Sequence, residues 1–364
     1  MKKIIWCFII ICVVLGLTGC KDGLIVTEIT DNLASSEYLK TQMVFSTYSE
    51  DNTLKDRFLE GIKDIATSEL YEKNHQIQSS YINYGDYVIV IGDGSYDEKE
   101  DRIEQSKKLY IMDKNKNICL LKEFDKEIYQ ISIKDKTKII CIVELTKNDT
   151  YRTYIEYDLF TGEEKILAEN TKELYFYHNN TLYNRDKSSM LYEIGEDKTK
   201  RKLLYSNIDW AYRDGNDIMI IPTEKSCIIK NGNEIQVTDE AFLMIDNDTI
   251  LTVNNRLKNL DENKITVLNF KEDMEIRRVL GKYGIALSYS AKEYQYYLID
   301  LNNGDKYRFK EQLVIDNYDY RYEADVFMFD SVIYFYDLTK DSENVSSQYS
   351  KFMALDLSQL EKVK

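Results

Sequence analysis

A short β-strand signature returns about every forty residues along this chain, and a repeat of that length leaves few architectures open. Each copy is an apolar strand ending near Asp or Asn, a polar turn, and a second strand. The first reads Leu109-Tyr110-Ile111-Met112-Asp113 and then Asn117-Ile118-Cys119-Leu120-Leu121. It returns from Ile155 to Gly162, Leu191 to Gly195, Cys227 to Gly232, Thr266 to Asn269, Tyr297 to Gly304 and Phe352 to Asp356. The turns open at Asp113, Asp158, Gly195, Lys230, Asn269, Asp300 and Asp356. Two further strand-like runs precede most copies, as Asp209-Trp210-Ala211-Tyr212 and the run from Asp217 to Ile221 precede Cys227. Four short strands per forty residues make the unit of a β-propeller blade, whose faces are buried only against other blades. The fold expected is all-β, a propeller of seven blades. Six and eight are the neighbouring counts, eight if a weaker copy at Leu70-Tyr71-Glu72-Lys73-Asn74 is a blade strand. A β-sandwich or a solenoid of hairpins is the competing architecture.

The runs themselves suit blade interiors. Tyr87-Val88-Ile89-Val90-Ile91 and Lys138-Ile139-Ile140-Cys141-Ile142-Val143 are continuously apolar and β-branched, as strands buried on both faces must be. The units resemble the degenerate Tyr-x-x-Asp-x-x-x-Gly blades of TolB-like and related bacterial propellers, clearest in Tyr297, Asp300 and Gly304. The resemblance covers residues 69–364 and implies a fold; it names no activity.

The first residues carry a different signal. Lys2-Lys3 and an apolar run from Ile4 to Leu17 form a leader too short to stay as a spanning helix. It closes on Leu17-Thr18-Gly19-Cys20, which resembles the lipobox of bacterial lipoproteins. That resemblance implies cleavage of residues 1–19 as a signal peptide, lipid on the Cys20 thiol, palmitate included, and a mature chain held on the extracytoplasmic face of the cell membrane. A lipidated cysteine anchors a globular domain without spanning the bilayer, since each buried methylene contributes about 0.8 kcal/mol.

Between anchor and blades, residues 20–68 read as a tether ending in one short amphipathic helix. Leu54, Phe58, Leu59, Ile62 and Ile65 fall at helical spacing, with Asn52 or Thr53 as its cap. Packing on the propeller edge is the expected use of that apolar face, and membrane or partner docking the alternative.

Charge narrows the partners. The formal net charge is -15, and loss of a leader with two lysines and no acid takes it to about -17. Such a chain is repelled by nucleic-acid phosphates and anionic headgroups, so no nucleic acid is expected and lipid must supply the membrane hold. A single proline among many Lys, Ile, Asn and Tyr residues points to an AT-rich coding background, as in low-GC Gram-positive bacteria. With Cys7 and Cys12 in the leader and Cys20 lipidated, Cys119, Cys141 and Cys227 are left. They are odd in number, widely spaced and set in apolar runs, so they read as small buried hydrophobes rather than a disulfide or zinc set.

No catalytic set is legible. His75 and His178 are the only histidines, and no Gly-x-Ser-x-Gly elbow, His-Glu-x-x-His helix or phosphate-cradling glycine loop occurs. The one ionic candidate is the run from Asp93 to Glu104. Asp93, Ser95, Asp97 and Glu104 occupy positions one, three, five and twelve of a calcium loop. Glu98 stands at position six, where the sharp turn wants glycine, and a solvated acidic hairpin accounts for the same residues. Calcium is thus the one cofactor weighed; otherwise none is expected. The function expected is a membrane-anchored binding or scaffold module of the cell envelope, its partner an envelope protein or cell-wall glycan. The alternative is a propeller enzyme acting on envelope glycans through paired carboxylates.

Overall fold

The computed structural model describes residues 25–362 apart from 31, 34–41, 48–51, 93–94, 98–101, 105, 145–150, 196–199, 215–216, 231, 238–241, 246–247, 253, 263, 271–273, 290–293, 310–325 and 337–348. The leader, the Leu17-Thr18-Gly19-Cys20 motif and the polar run from Lys340 to Gln348 lie outside them.

Three strands come first, β1 (Ile25–Thr30), β2 (Asn32–Leu33) and β3 (Gln42–Thr47). Two helices follow: α1 (Thr53–Gly61), continued by a 3-10 turn over Ile62–Asp64, and α2 (Thr67–Lys73). Blade 1 is β4 (Tyr81–Tyr84), β5 (Tyr87–Ile91), β8 (Lys108–Asp113) and β9 (Ile118–Glu123), with a side hairpin of β6 (Ser95–Asp97) and β7 (Arg102–Glu104). Blade 2 is β10 (Ile128–Ile133), β11 (Lys138–Glu144), β12 (Arg152–Asp158) and β13 (Glu164–Thr171). Blade 3 is β14 (Leu174–His178), β15 (Thr181–Arg185), β16 (Leu191–Ile194) and β17 (Arg201–Tyr205). Blade 4 is β18 (Ile208–Asp214), β19 (Asp217–Pro222), β20 (Cys227–Lys230) and β21 (Asn233–Gln236). Blade 5 is β22 (Phe242–Met244), β23 (Thr249–Thr252), β24 (Arg256–Asn259) and β25 (Lys264–Asn269). Blade 6 is β26 (Met274–Leu280), β27 (Tyr283–Tyr289), β28 (Tyr294–Asp300) and β29 (Asp305–Arg308). Blade 7 takes β30 (Val326–Phe329), β31 (Val332–Tyr336) and β32 (Tyr349–Asp356) from the C-terminal end and β3 from the N-terminal end. The fold is a seven-bladed β-propeller.

The alternation of strand side chains explains the unbroken apolar runs. On β5, Ile89 and Ile91 enter the cluster between blades 1 and 2, while Val88 and Val90 enter the one between blades 7 and 1. On β11, Ile139, Cys141 and Val143 face blade 1, and Ile140 and Ile142 face blade 3. The buried side chains fall into seven clusters, one at each junction between neighbouring blades. Cys119, Cys141 and Cys227 are buried free thiols; burial pushes the Cys119 thiol up to about 11 and raises Cys141 as well.

The repeated Asp is a turn device. Asp113 Oδ1 accepts the amides of Asn115 and Asn117, both at 2.9 Å, and Asp158 Oδ1 those of Phe160 at 2.9 Å and Thr161 at 3.0 Å. Asp300 and Asp356 do the same for Asn302 and Ser358. The fifth copy corrects the sequence reading. Asn269 closes β25, the outer strand, and the equivalent turn opens at Asn259, whose Oδ1 accepts the amides of Asp261 and Glu262.

Two other expectations are revised. Leu70 to Asn74 is no eighth blade: α2 runs there, with Leu70 and Tyr71 buried and a Glu69–Lys73 pair at 2.7 Å on its outer side. Much of the tether is strand as well. β1 adds to the outer edge of blade 5 in parallel with β25, β2 adds to blade 6 in parallel with β29, and β3 is the outer strand of blade 7. This strap could not be read from patterning because it joins finished sheets edge-on, by main-chain pairing that side-chain periodicity does not record. Helix α1 stands where the spacing puts it, with Leu54, Phe58 and Ile62 buried against blades 1 and 2.

The strap turns over blade 6 at Gly304, which has φ +78°. A Cβ there would meet Ile29 Cγ2 at 2.5 Å and the Thr30 carbonyl oxygen at 2.8 Å, whereas Gly162, at φ +73°, faces open space. Gly162→Ala should cost only the left-handed strain, about 1 kcal/mol. Gly304→Ala should cost visibly more and speed hydrogen exchange in β1. Equal losses of stability in thermal unfolding would refute the close fit of strap to blade.

Candidate functional site

In each blade the first strand pairs with the second along one edge and turns its other edge to the ring axis. Residues 74–80, between α2 and β4, run along that inner edge. Ser79 exchanges two main-chain bonds with Ile131 of β10, at 2.9 and 2.7 Å. Gln78 Nε2 donates to the Tyr175 carbonyl of β14 at 3.3 Å, and the Arg213 amide of β18 donates to the His75 carbonyl at 2.9 Å. Ile77 enters the cluster between blades 3 and 4 beside Phe176 and Ile208. Residues 74–80 therefore line the inner edges of blades 2, 3 and 4.

Arg213 locks this plug. It is 1% exposed, and one terminal nitrogen, Nη2, donates to the carbonyls of Ile133 at 3.0 Å and Tyr177 at 3.1 Å. Its guanidinium lies 4.3 Å from the ring centroid of Tyr71 on α2. One side chain thus joins blade 4 to blades 2 and 3 and to the helix. Its Nε and Nη1, and the Tyr84 hydroxyl, are buried without a hydrogen-bond partner among the described residues. Burial lowers the Arg213 pKa to about 10, against the opposing pull of Tyr71 and Tyr84, so it keeps its charge at neutral pH. Burial also raises the Tyr84 phenol.

Lys134 is the second hub. Its carbonyl accepts the Tyr71 hydroxyl at 2.8 Å, and its ammonium bonds Glu156 Oε2 at 2.8 Å and stands 4.9 Å over the Tyr177 ring. Burial works to raise the Glu156 pKa, but the hydrogen bond from Lys134 and the charges of Lys134, Lys138 and Lys165 outweigh it and leave it lowered.

His75 and His178 lie about a hundred residues apart in the sequence. The structure brings both to the plug: the His75 carbonyl holds β18, and the buried His178 ring stacks obliquely on Tyr71 at 5.0 Å. Arg213 and Tyr71 were missed. The available signal was a lone arginine inside the strand pattern Trp210-Ala211-Tyr212-Arg213. Of the calcium candidates, Asp93 lies outside the described residues. Ser95, Asp97 and Glu104 sit in the β6–β7 hairpin, where Ser95 pairs with Glu104. Among the described residues no three His, Cys, Asp or Glu side chains converge as a metal set.

Beside the plug, Ile77, Gln78, Phe176, Leu191, Ile208 and Trp210 help to line an apolar cleft of about 20 Å³. That is about the room of one water, far below the ~300 Å³ at which ligand pockets begin.

No protein-family model matches the chain, and no curated protein matches it in sequence. Among solved structures, an oligogalacturonate lyase in complex with manganese is 11% identical with a TM-score of 0.49, over 89% of this chain and 99% of that one. An oligogalacturonate lyase from Vibrio parahaemolyticus is 10% identical with a TM-score of 0.48, over 88% of this chain and 98% of that one. Oligopeptidase B from Leishmania major is 11% identical with a TM-score of 0.43, over 76% of this chain and 53% of that one. These are likenesses of fold and bear on no activity.

Arg213→Ala should lower stability by about 3–5 kcal/mol, since it opens a cavity and strands two buried carbonyls. Tyr71→Phe should cost about 1 kcal/mol, because the ring face under Arg213 survives. Urea unfolding with the two losses equal would refute Arg213 as the lock. Glu156 has its folded pKa below the ordinary 4.5. Its contribution is therefore full above that value and lost as pH falls through the lowered one. Thermal midpoints of Glu156→Gln should differ from the parent near neutrality and converge with it in acid.

Proposed function

We propose that this protein is a lipid-anchored propeller on the extracytoplasmic face of the membrane, and that it binds a partner without transforming it. The observation that carries the reading is the chain's own segment lying along the inner edges of three blades. The axis of a ring of blades is the natural place to enclose a substrate, and here residues 74–80, Tyr71 and Arg213 line it along three blades. What this chain leaves for recognition is its turns and outer strands, where binding functions are most often carried.

The strap supports the anchoring half. Cys20 precedes the first strap strand, Ile25–Thr30, by four intervening residues. That chain reaches at most about 17 Å when extended. A lipid on Cys20 would hold the rim of blade 5 close to the bilayer instead of letting the ring swing on a long tether. With a mature charge near -17, the ring suits a neutral or cationic partner, an envelope protein or cell-wall glycan.

Labelling cells with a clickable palmitate analogue tests the anchor. The parent chain should take up label and sediment with membranes, and Cys20→Ala should do neither. A labelled Cys20→Ala, or an unlabelled parent, would overturn it. Incubation with purified cell-wall glycan tests the second half: retention without shortened or unsaturated fragments is expected, and fragment release would make the protein an enzyme.

A further inference from the structure

The seven outer edges are not alike. In blades 1, 2 and 3 the ladder between third and fourth strands carries a register shift, at Leu109/Tyr110, at Arg152/Tyr154 and Tyr154/Ile155, and at Leu191/Tyr192. A bulge twists an edge and spoils it as a template for another strand. In blades 5 and 6 the same ladders run without a shift, and both edges are covered: β1 pairs with β25 over six residues, and β2 with β29 over two. The outer strand of blade 7 is β3, the strap's own last strand. Blade 4 breaks the pattern. Its ladder is regular, Cys227 to Gln236 through Lys230 to Asn233, and among the described residues nothing pairs with the far side of β21.

The straight ladders of blades 5 and 6 are thus capped and those of blades 1, 2 and 3 are bulged, while β21 and β3, whose ladder with β32 is also regular, are straight and uncapped among the described residues; of the two, β21 is the one next to the edge that β1 covers. Asn233, Glu234 and Gln236 on it are exposed, and Ile235 is half-buried. The strand is held in place: Lys258 of the neighbouring blade 5 donates to the carbonyls of Gln236 and Val237 at 2.6 and 2.9 Å. It is also the next edge beyond the one that β1 covers, so the capped arc of the rim is continuous with it.

We propose that the outer edge of β21 is a strand-addition site for an extended segment of a partner protein, lying parallel to β21 as β1 lies on β25. The strap shows the chemistry such an edge accepts. β1 reads Ile-Val-Thr-Glu-Ile-Thr, β-branched at five of six positions; of its side chains from Val26 to Thr30, Ile29 is half-buried and the others are exposed. It adheres by its main chain, helped by a Thr27–Thr266 hydroxyl bond at 2.8 Å and by Asn269 donating to Glu28 at 2.6 Å. Main-chain pairing supplies affinity in this mode and alternate side chains supply selectivity. The net charge of -15 selects a segment that carries Lys or Arg, and it sets a second copy of this chain against itself. The site does not depend on the lipid anchor; it would stand on a soluble form.

The test uses the full chain in detergent with two synthetic peptides. One is Lys-Ile-Val-Thr-Lys-Ile-Thr-Lys; the other is the same peptide N-methylated at alternate residues, which blocks one pairing edge. At about ten times its Kd, the first should slow exchange of the outward amides of Asn233–Gln236 by about tenfold. The methylated peptide should leave them unchanged. The proposal fails if β21 gains no protection, if protection falls on β25 by displacement of β1, or if the methylated peptide protects equally. It also fails if light scattering finds a dimer whose β21 amides are already slow, since the occupant would then be a second copy.

Discussion

Everything in this fold depends on closing the ring. Each blade presents two apolar faces, and six junctions would leave one face of blade 1 and one of blade 7 in water. The seventh cluster removes that exposure by packing Val88, Val90, Tyr110 and Met112 of blade 1 on Phe327, Phe329, Tyr334 and Ala354 of blade 7. The link is made by the two ends of the chain. β3 pairs with β32 over six residues, from Gln42 with Ala354 to Thr47 with Tyr349, so blade 7 is complete only when residues three hundred apart meet. Closing a loop of that length is an entropic cost that grows only slowly with length, and the ladder and the cluster together offset it. Stability here is a property of the circle, since no single blade can bury its own faces.

The plug answers a second consequence of the circle. Seven inner strands turn their unpaired edges to the axis, and a narrow channel would leave those main-chain groups poorly satisfied. Residues 74–80 supply partners to three of them. Burying the Arg213 charge costs several kcal/mol. Two carbonyl bonds of about 1.5–3 kcal/mol each and a stacking contact of about 2 kcal/mol roughly offset it. Arg213 nearly breaks even against an apolar side chain filling the same space, whereas truncation costs more because it leaves a cavity and two unpaired carbonyls. Only one position of α2 puts Tyr71 beneath the guanidinium and its hydroxyl on Lys134. The two histidines of the chain gather at this place as part of the plug's packing, and their carbonyl and ring contacts give them structural work.

The blade architecture was legible because it is written twice, in period and in local chemistry. A β-branched run such as Ile139 to Val143 states that both faces are buried, and an Asp such as Asp158 or Asp300 states that a turn opens there. The count of seven followed even though one copy was placed on β25 instead of β24, since an error within a blade does not change the number of blades. The strap left no such trace. β1 adheres to blade 5 by amide and carbonyl groups that every residue owns, so its sequence says strand-former and nothing about which edge it meets. The plug was hidden for a related reason: Tyr71 has an ordinary helical neighbourhood, and the partner that gives it meaning, Arg213, is more than a hundred residues away.

Strap and plug together turn the N-terminal eighty residues from a passive lead into the component that finishes the ring on two sides. From the outside, β1, β2 and β3 cap blades 5 and 6 and complete blade 7. From the inside, residues 74–80 bind blades 2, 3 and 4. Between them α1 packs Leu54, Phe58 and Ile62 over blades 1 and 2. Every blade is thereby touched by a segment that precedes β4. β1 and β2 each add to the outer edge of a sheet whose four other strands all come later in the chain. In the proposed anchoring, the residue that carries the lipid would sit five positions before β1, the first of the strap's strands. Attachment to the membrane and completion of the ring would then act on the same stretch of chain, and a force on the anchor would be borne first by the main-chain ladder of β1 on β25.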